Sequence, residues 1–293
     1  MQGFPQDMHK MLGWSGANRP YSFPWQGTGD TNFVPSAPLI ELRRVSVQRG
    51  ETLALRDVSL SIGVGEHVAI LGPNGCGKST LIKTITCECY PLARPESSIT
   101  ILGQSRWNVA ELRSLLGIVS NDLMTRCTRE ITGFDIVLSG FFSSVGIWPH
   151  HKVTDAMRGK THAVLALLGA PHLAARPVNE MSSGEARRMM IGRALVHDPK
   201  TLLLDEPSTS LDLSAQHELR EMVRKLAQSN IGILLVTHHL SDIIPEIERV
   251  ILMRGGQIAG DGPKEQMLTA PVLKELFGVE VELARRGGYY NLW

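Results

Sequence analysis

Gly72-Pro73-Asn74-Gly75-Cys76-Gly77-Lys78-Ser79-Thr80 fits the pattern G-x-x-x-x-G-K-[ST]. It follows the apolar run His67 to Leu71 and opens a helical pattern from Ser79 to Cys87. Glycines let such a turn fold tightly, so that backbone N–H groups converge on phosphate. Lys78 supplies a point charge for the β- and γ-phosphates, and Ser79 a hydroxyl for Mg²⁺. The helix adds the positive end of its dipole. A glycine-rich turn without a ligand is the alternative reading, and the strand–turn–helix setting argues against it.

A second apolar run, Thr201 to Leu204, ends in Asp205-Glu206-Pro207. Strand ends line the ligand crevice of a parallel sheet. Asp205 is expected beside the phosphate loop, holding Mg²⁺ through water. Glu206, one step further, faces the γ-phosphate and can polarise an attacking water as general base. Read alone, the same residues would be a solvated acidic turn.

Outward from these motifs the pattern alternates. Leu39 to Val47, Ala54 to Ile62, Ile99 to Leu102, Gly117 to Ser120 and Gly232 to Val236 read as strands, and Ala156 to Leu168 as a helix. Fully apolar runs suit central parallel strands, and strand–helix alternation predicts an α/β fold with helices on the sheet faces. Residues 122–180 are mostly helical in pattern. Val250 to Met253 and Gln257 to Ala259, split by Gly255-Gly256, read as a terminal hairpin. The tail from Pro263 to Trp293 reads as one or two short helices and a strand at Val279 to Leu283. Gly287-Gly288-Tyr289-Tyr290 has no assignable chemistry.

Met181-Ser182-Ser183-Gly184-Glu185 lies between the two motifs, followed by Ala186-Arg187-Arg188. Ser182 with Glu185 three residues on is a capping box, so a helix starts here. This stretch resembles the signature motif of ATP-binding-cassette (ABC) ATPases, usually Leu-Ser-Gly-Gly-Gln. Ser210-Leu211-Asp212 is similar to the family's D-loop, and Thr237-His238 to its switch histidine, although a histidine there could also be a satisfied core residue. The resemblance runs from about Leu39 to Gly262 and implies a P-loop NTPase fold: a mixed sheet with a parallel core flanked by helices, an antiparallel β edge and a helical signature subdomain at about 122–195. It also implies ATP hydrolysis with Mg²⁺. Glu206, His238 and Lys78 would be catalytic; Ser79, Asp205 and Asn121 would hold the metal. ATP would be held by Arg49, Gly72 to Thr80, Ser182, Ser183, Gly184, Glu185 and Asp212. Two such domains would meet head to tail, with Ser182 and Gly184 of one covering the γ-phosphate held by the other.

Three positions depart from the family pattern. Asn121 stands where a glutamine is usual, one methylene shorter but still offering an amide oxygen. Arg49 stands where an aromatic would stack on adenine, and its planar guanidinium can also stack. Ser183 replaces a signature glycine. Phe134 to Trp148, with the Ser-Ser-Gly-Glu signature, resembles the branch named for molybdate uptake or photorepair.

With 293 residues and no internal repeat, the chain fits one such domain, 38–293, preceded by residues 1–37. The latter are rich in Gly, Pro, Asn and aromatics without periodicity and are expected to be a disordered extension. Net charge is +1, which argues against nucleic acid as a partner. No apolar run approaches the roughly 18–20 residues of a membrane span, and no secretory signal opens the chain. A cytoplasmic protein held at the inner face of the membrane by a permease is therefore expected, with a homodimer or a related ATPase domain as the other partner. Phe141, Phe142 and Trp148 are candidates for the permease groove, with a structural core role the equal alternative for each. The four cysteines form no pair of CxxC motifs and read as reduced core or surface thiols.

Two functions compete. The first is the energy-coupling subunit of an ABC transporter. The second is a soluble ABC ATPase acting on ribosomes, nucleic acid or a regulatory complex, which Asn121 favours and a single domain disfavours. A chromosome-maintenance ATPase would need a long coiled coil between the motifs. Kinases and GTPases lack the signature and switch histidine together.

Overall fold

The computed structural model describes residues 37–120 and 131–293. The expected disordered extension (but for Ala37), Asn121 and Cys127 lie outside the described residues. Strands β1 (Ile40–Arg49) and β2 (Thr52–Ile62) are followed by β3 (His67–Leu71), helix α1 (Lys78–Ile85), β4 (Ser98–Ile101), α2 (Val109–Leu115) and β5 (Leu116–Val119). Three helices come next: α3 (Gly133–Leu138), α4 (Asp155–Leu167) and α5 (Ser183–Leu195). Then β6 (Thr201–Asp205), α6 (Leu213–Gln228), β7 (Gly232–Thr237), β8 (Arg249–Arg254) and β9 (Gln257–Pro263) complete the main sheet. Two short helices, α7 (Lys264–Met267) and α8 (Ala270–Phe277), lead to β10 (Leu283–Arg286) and β11 (Tyr289–Leu292).

The main sheet has the order β5-β6-β7-β3-β8-β9. All neighbours are parallel except β8 and β9. The fully apolar strands follow from this burial, because successive side chains point to opposite faces and both faces are covered. Ala69, Leu71, Leu202, Leu204, Ile233 and Leu235 pack with the helices α3 to α6 and α8. Val68, Ile70, Leu203, Leu234 and Val236 pack instead with β1, β2 and α1. A three-stranded antiparallel sheet, β2-β1-β4, covers that second face.

Helix α6 shows why its segment is helical. Leu219, Val223, Leu226 and Ala227 are buried at spacings of four, three and one, an apolar stripe on one face. Its N-cap, Asp212, accepts a hydrogen bond from Ala215 N.

The sheet corrects two expectations from sequence. The Val250–Ala259 hairpin exists, but β8 is inserted beside β3 in parallel, so only β9 is an antiparallel edge. Nor is it terminal. The tail forms a further hairpin at 283–286 and 289–292 rather than a strand at 279–283. Gly287 and Gly288 both have positive φ (58° and 82°), as a two-residue turn between twisted strands requires. The hairpin packs on the turn after β7, with Tyr290 buried.

Candidate functional site

The loop Gly72–Thr80 joins the end of β3 to α1. Gly75 and Gly77 take φ values of 77° and 107°, which a side chain would disfavour. Lys78 is only 4% exposed. Its Nζ donates to the carbonyls of Gly72 at 2.8 Å and Pro73 at 3.1 Å, so the loop's own backbone orients the ammonium. Cys76 Sγ is buried at the base of the loop, and burial pushes its thiol pKa up.

Two distant segments hold the loop from outside. A Cβ at Gly77 would lie 2.8 Å from the Ala54 carbonyl of β2. In the β8–β9 turn, Gly256 N donates to Cys76 O at 2.9 Å, and Gly256 O accepts from Arg56 N at 2.8 Å. Both sheets therefore grip the same loop. Sequence patterning carries no signal for this clamp beyond the two glycines of the turn.

The acidic strand β6 is not paired with β3, the strand that leads into the loop. Strand β7 lies between β6 and β3. Glu206 crosses that gap because its φ is +47°. A non-glycine residue in the left-handed region is uncommon and costs backbone energy. The conformation is held by a bond from Glu206 N to Val236 O at 2.8 Å. Glu206 Oε1 consequently lies 3.7 Å from Lys78 Nζ and 3.1 Å from His238 Nδ1. Glu206, Lys78 and His238, chosen from sequence as catalytic, thus converge at the carboxyl ends of β6, β3 and β7.

With Glu206 ionised, that bond requires the hydrogen on His238 Nδ1, and Nε2 lies outside it. His238 is half-buried and its ring lies 3.9 Å from that of exposed His239. Asp205 ends β6, with the half-buried Glu206 beyond it, while Ser79 is exposed in the first turn of α1.

The predicted capping box is present. Ser182 Oγ accepts from Glu185 N at 3.2 Å, and Glu185 Oε2 accepts from Ser182 N at 2.8 Å. The Ser182 N–H bond holds the Glu185 carboxyl below the usual carboxylate range, and Arg176 pairs with it at 3.2 Å. Glu185 and Asp212 are therefore engaged in capping their own helices, whereas Ser182 and Ser183 are exposed. Gly184 packs against α6, where an added Cβ would lie 2.9 Å from Ala215 Cβ. Among the described residues no hydrogen bond or ion pair joins 182–185 to 72–80. Within one chain the two motifs are separate. Replacing Ser182 by Ala is expected to cost about 1 kcal/mol of stability at neutral pH. Because the Glu185 pKa is depressed, its share is complete at neutral pH and fades as pH falls through and below the ordinary carboxylate range. Ser182→Ala keeps the backbone N–H that Glu185 accepts from, so thermal melts of both chains should fall together on acidification with most of their gap retained.

Arg49 ends β1, exposed, in the hairpin whose second strand crosses the loop. Phe142 stacks on His151 with ring centroids 4.2 Å apart, and Phe141 meets His197 edge-on. Of the three aromatics suggested for a permease groove, Trp148 is the most exposed, at 40%. Sequence reading missed Asp242, a buried carboxylate that accepts from Ser208 Oγ and Thr237 Oγ1. An acidic residue so close after an apolar strand looks like part of a solvated turn, and only the fold shows it buried.

Residues 55–209, more than half of the chain, match the family model described as ABC transporter. The uncharacterized ABC transporter ATP-binding protein YlmA of Bacillus subtilis (strain 168) is 30% identical over 250 residues, covering 84% of this chain and 93% of that one. The hemin import ATP-binding protein HmuV of Bradyrhizobium diazoefficiens is 30% identical over 258 residues, 85% and 92% of the two chains. Among solved structures, a nucleotide-free ATP-binding cassette from an ABC transporter superposes with a TM-score of 0.68 at 28% identity, covering 83% of this chain and 96% of the other. A dimeric cassette in a post-hydrolysis state with ADP and Pi gives 0.63 at 25% identity, covering 76% and 98%.

Proposed function

The chain belongs to the ABC transporter family, and on that premise we propose that it is the ATP-hydrolysing subunit of an importer, working as a head-to-tail pair. The observation that carries this reading is the convergence of Glu206, Lys78 and His238 beside the phosphate loop. Glu206 accepts the proton of a water attacking the γ-phosphorus. Lys78 offsets charge on the β- and γ-phosphates, supported by the loop's N–H groups. His238, tied to Glu206 through Nδ1, can donate an Nε2–H to the γ-phosphate oxygens, which only accept, when both ring nitrogens carry hydrogen.

The hydroxyl of Ser79 and the carboxylate of Asp205 are hard oxygen donors, which suit Mg²⁺. We assign them to the metal, with Asn121 as a third ligand. Bound Mg²⁺ would neutralise charge on the transferred phosphoryl group. Arg49 is assigned to the adenine. Exposed Ser182 and Ser183, with Gly184, are assigned to the γ-phosphate of the partner. Glu185 and Asp212, occupied as caps, act in that contact by fixing their helix ends. The dimeric solved cassette supports the pairing.

Among the described residues no helix is long and apolar enough to cross a membrane. A permease in other chains is therefore the partner we propose, docking on the helical region around Trp148 at the inner face of the membrane. Relatives named for hemin, sulfate and phosphonate import support transport over a role on ribosomes or nucleic acid.

The test is ATPase rate against protein concentration. If each site borrows Ser182 from a partner, the rate per chain rises with concentration and then saturates. A rate per chain that stays constant down to concentrations where the protein is monomeric by sedimentation would refute the shared site.

A further inference from the structure

We propose that Asp242 is a positioning residue for hydrolysis, setting the spacing of Glu206 and His238 through a buried hydrogen-bonded ring. The inference rests on the catalytic reading of those two residues given above. Asp242 is 6% exposed. One carboxylate oxygen, Oδ2, accepts from Ser208 Oγ at 2.6 Å and from Thr237 Oγ1 at 2.8 Å. Ser208 lies two residues after Glu206, and Thr237 immediately precedes His238. Glu206 and His238 themselves meet at 3.1 Å. The result is a closed ring: Glu206, Pro207, Ser208, Asp242, Thr237, His238 and back to Glu206.

The chemistry of the ring requires an acceptor at 242. Thr237 Oγ1 accepts from His239 N at 3.0 Å, and its own hydrogen finds the Asp242 carboxylate at 2.8 Å in preference to the His239 carbonyl at 3.5 Å. The Ser208 hydroxyl, also buried, donates to the same oxygen. A carboxylate is acceptor-only when ionised and takes both. The backbone of Asp242 is anchored too, because its N–H donates to His239 O at 3.2 Å. Behind it, β11 packs on the turn Leu240–Asp242, and a Cβ at Gly288 would lie 3.0 Å from Pro245 Cβ. The carboxylate is thus fixed on a rigid support while the left-handed Glu206 is held in place from Ser208. Without that hold, relaxation at Glu206 would move its oxygens relative to the water they must polarise, and small misplacements of this kind are costly in rate.

The test compares Asp242→Ala with the unmodified chain and with Glu206→Gln, at a temperature where all remain folded. Asp242→Ala is expected to lower kcat about ten- to hundred-fold with KM for MgATP changed by no more than a few-fold through His238, since Lys78 and the loop are not touched. Ser208→Ala combined with Thr237→Val removes both donors and leaves the carboxylate. It should lower kcat by a similar factor, and adding it to Asp242→Ala should cause no further loss. If Asp242→Ala fails to fold, the donor variant alone decides. Unchanged kcat in either, or a loss confined to KM, overturns the proposal while leaving Glu206 as the base. Undiminished turnover by Glu206→Gln would instead overturn the catalytic reading, and the proposal with it.

Discussion

Replacing Glu206 by Gln is expected to reduce turnover by about 10²- to 10⁴-fold, the range a positioned general base supplies, while ATP binding stays within a few-fold of normal. The amide is close in shape and its Oε1 can still accept the His238 Nδ1 hydrogen, so the 3.1 Å contact survives. What it cannot do is take a proton from water. Lys78 loses a carboxylate 3.7 Å away but keeps its bonds to Gly72 O and Pro73 O, so the ammonium stays aimed into the loop. A chain that binds ATP but does not turn it over should accumulate as the ATP-bound pair. Phosphate release, calorimetric ATP binding and size-exclusion chromatography with MgATP read these three properties separately. A rate within tenfold of normal would move the base to another residue. Loss of ATP binding would mean that Glu206 serves the architecture of the loop instead.

The second large effect is expected from a single methyl group. In Gly72→Ala the new Cβ would lie 2.3 Å from the Met253 carbonyl oxygen and 2.7 Å from Cys76 Sγ. Neither neighbour can retreat easily. Met253 is fully buried in β8, which is paired to β3 on one side and β9 on the other. The Cys76 side chain is buried, which limits where Sγ can turn, and its backbone is tied to Gly256 N. The loop must therefore move, and with it the Gly72 carbonyl that holds Lys78. Overpacking of this kind costs about 1–3 kcal/mol. ATP affinity should fall at least tenfold, because the phosphate donors shift together. Gly159→Ala is the control. It lies in the interior of α4 with nothing within 4 Å of the added atom, so it should stabilise the chain by up to about 1 kcal/mol. Thermal melts and nucleotide titration of both variants check the contrast. Equal behaviour would mean that the wall behind Gly72 yields.

The strands at 67–71, 201–205 and 232–237 were legible because burial on both faces leaves nearly unbroken apolar runs, and those at 40–49 and 52–62 because buried and exposed positions roughly alternate. The capping box was legible because its two partners are three residues apart. What stayed hidden is long-range. Nothing in Thr201–Glu206 says that β7 will lie between β6 and β3. The left-handed Glu206 is a conformation, not a residue type, and has no sequence signature. The tail hairpin was in principle readable, since Gly287-Gly288 is a favoured two-residue turn. Its strands are short, and the charged Arg285 and Arg286 broke the apolar alternation that marks strands elsewhere. Asp242 was not singled out, because its partners Ser208 and Thr237 and the strand β11 packed on its turn are brought together only by the fold.

The grip of both sheets on Gly72–Thr80 bears on how far this loop is a portable part. Its residues are contiguous, which invites treating them as a cassette that any parallel sheet could accept. Yet the carbonyl of Ala54, the turn at Gly256 and the backbone of Met253 form its outer wall, and none is encoded near it. Transplanted alone, the segment would bring its phosphate donors without the surfaces that set their directions. The heritable unit is the loop together with a hairpin before it and a turn long after it, so recombination that separates 50–60 from 250–260 breaks the site without touching the motif.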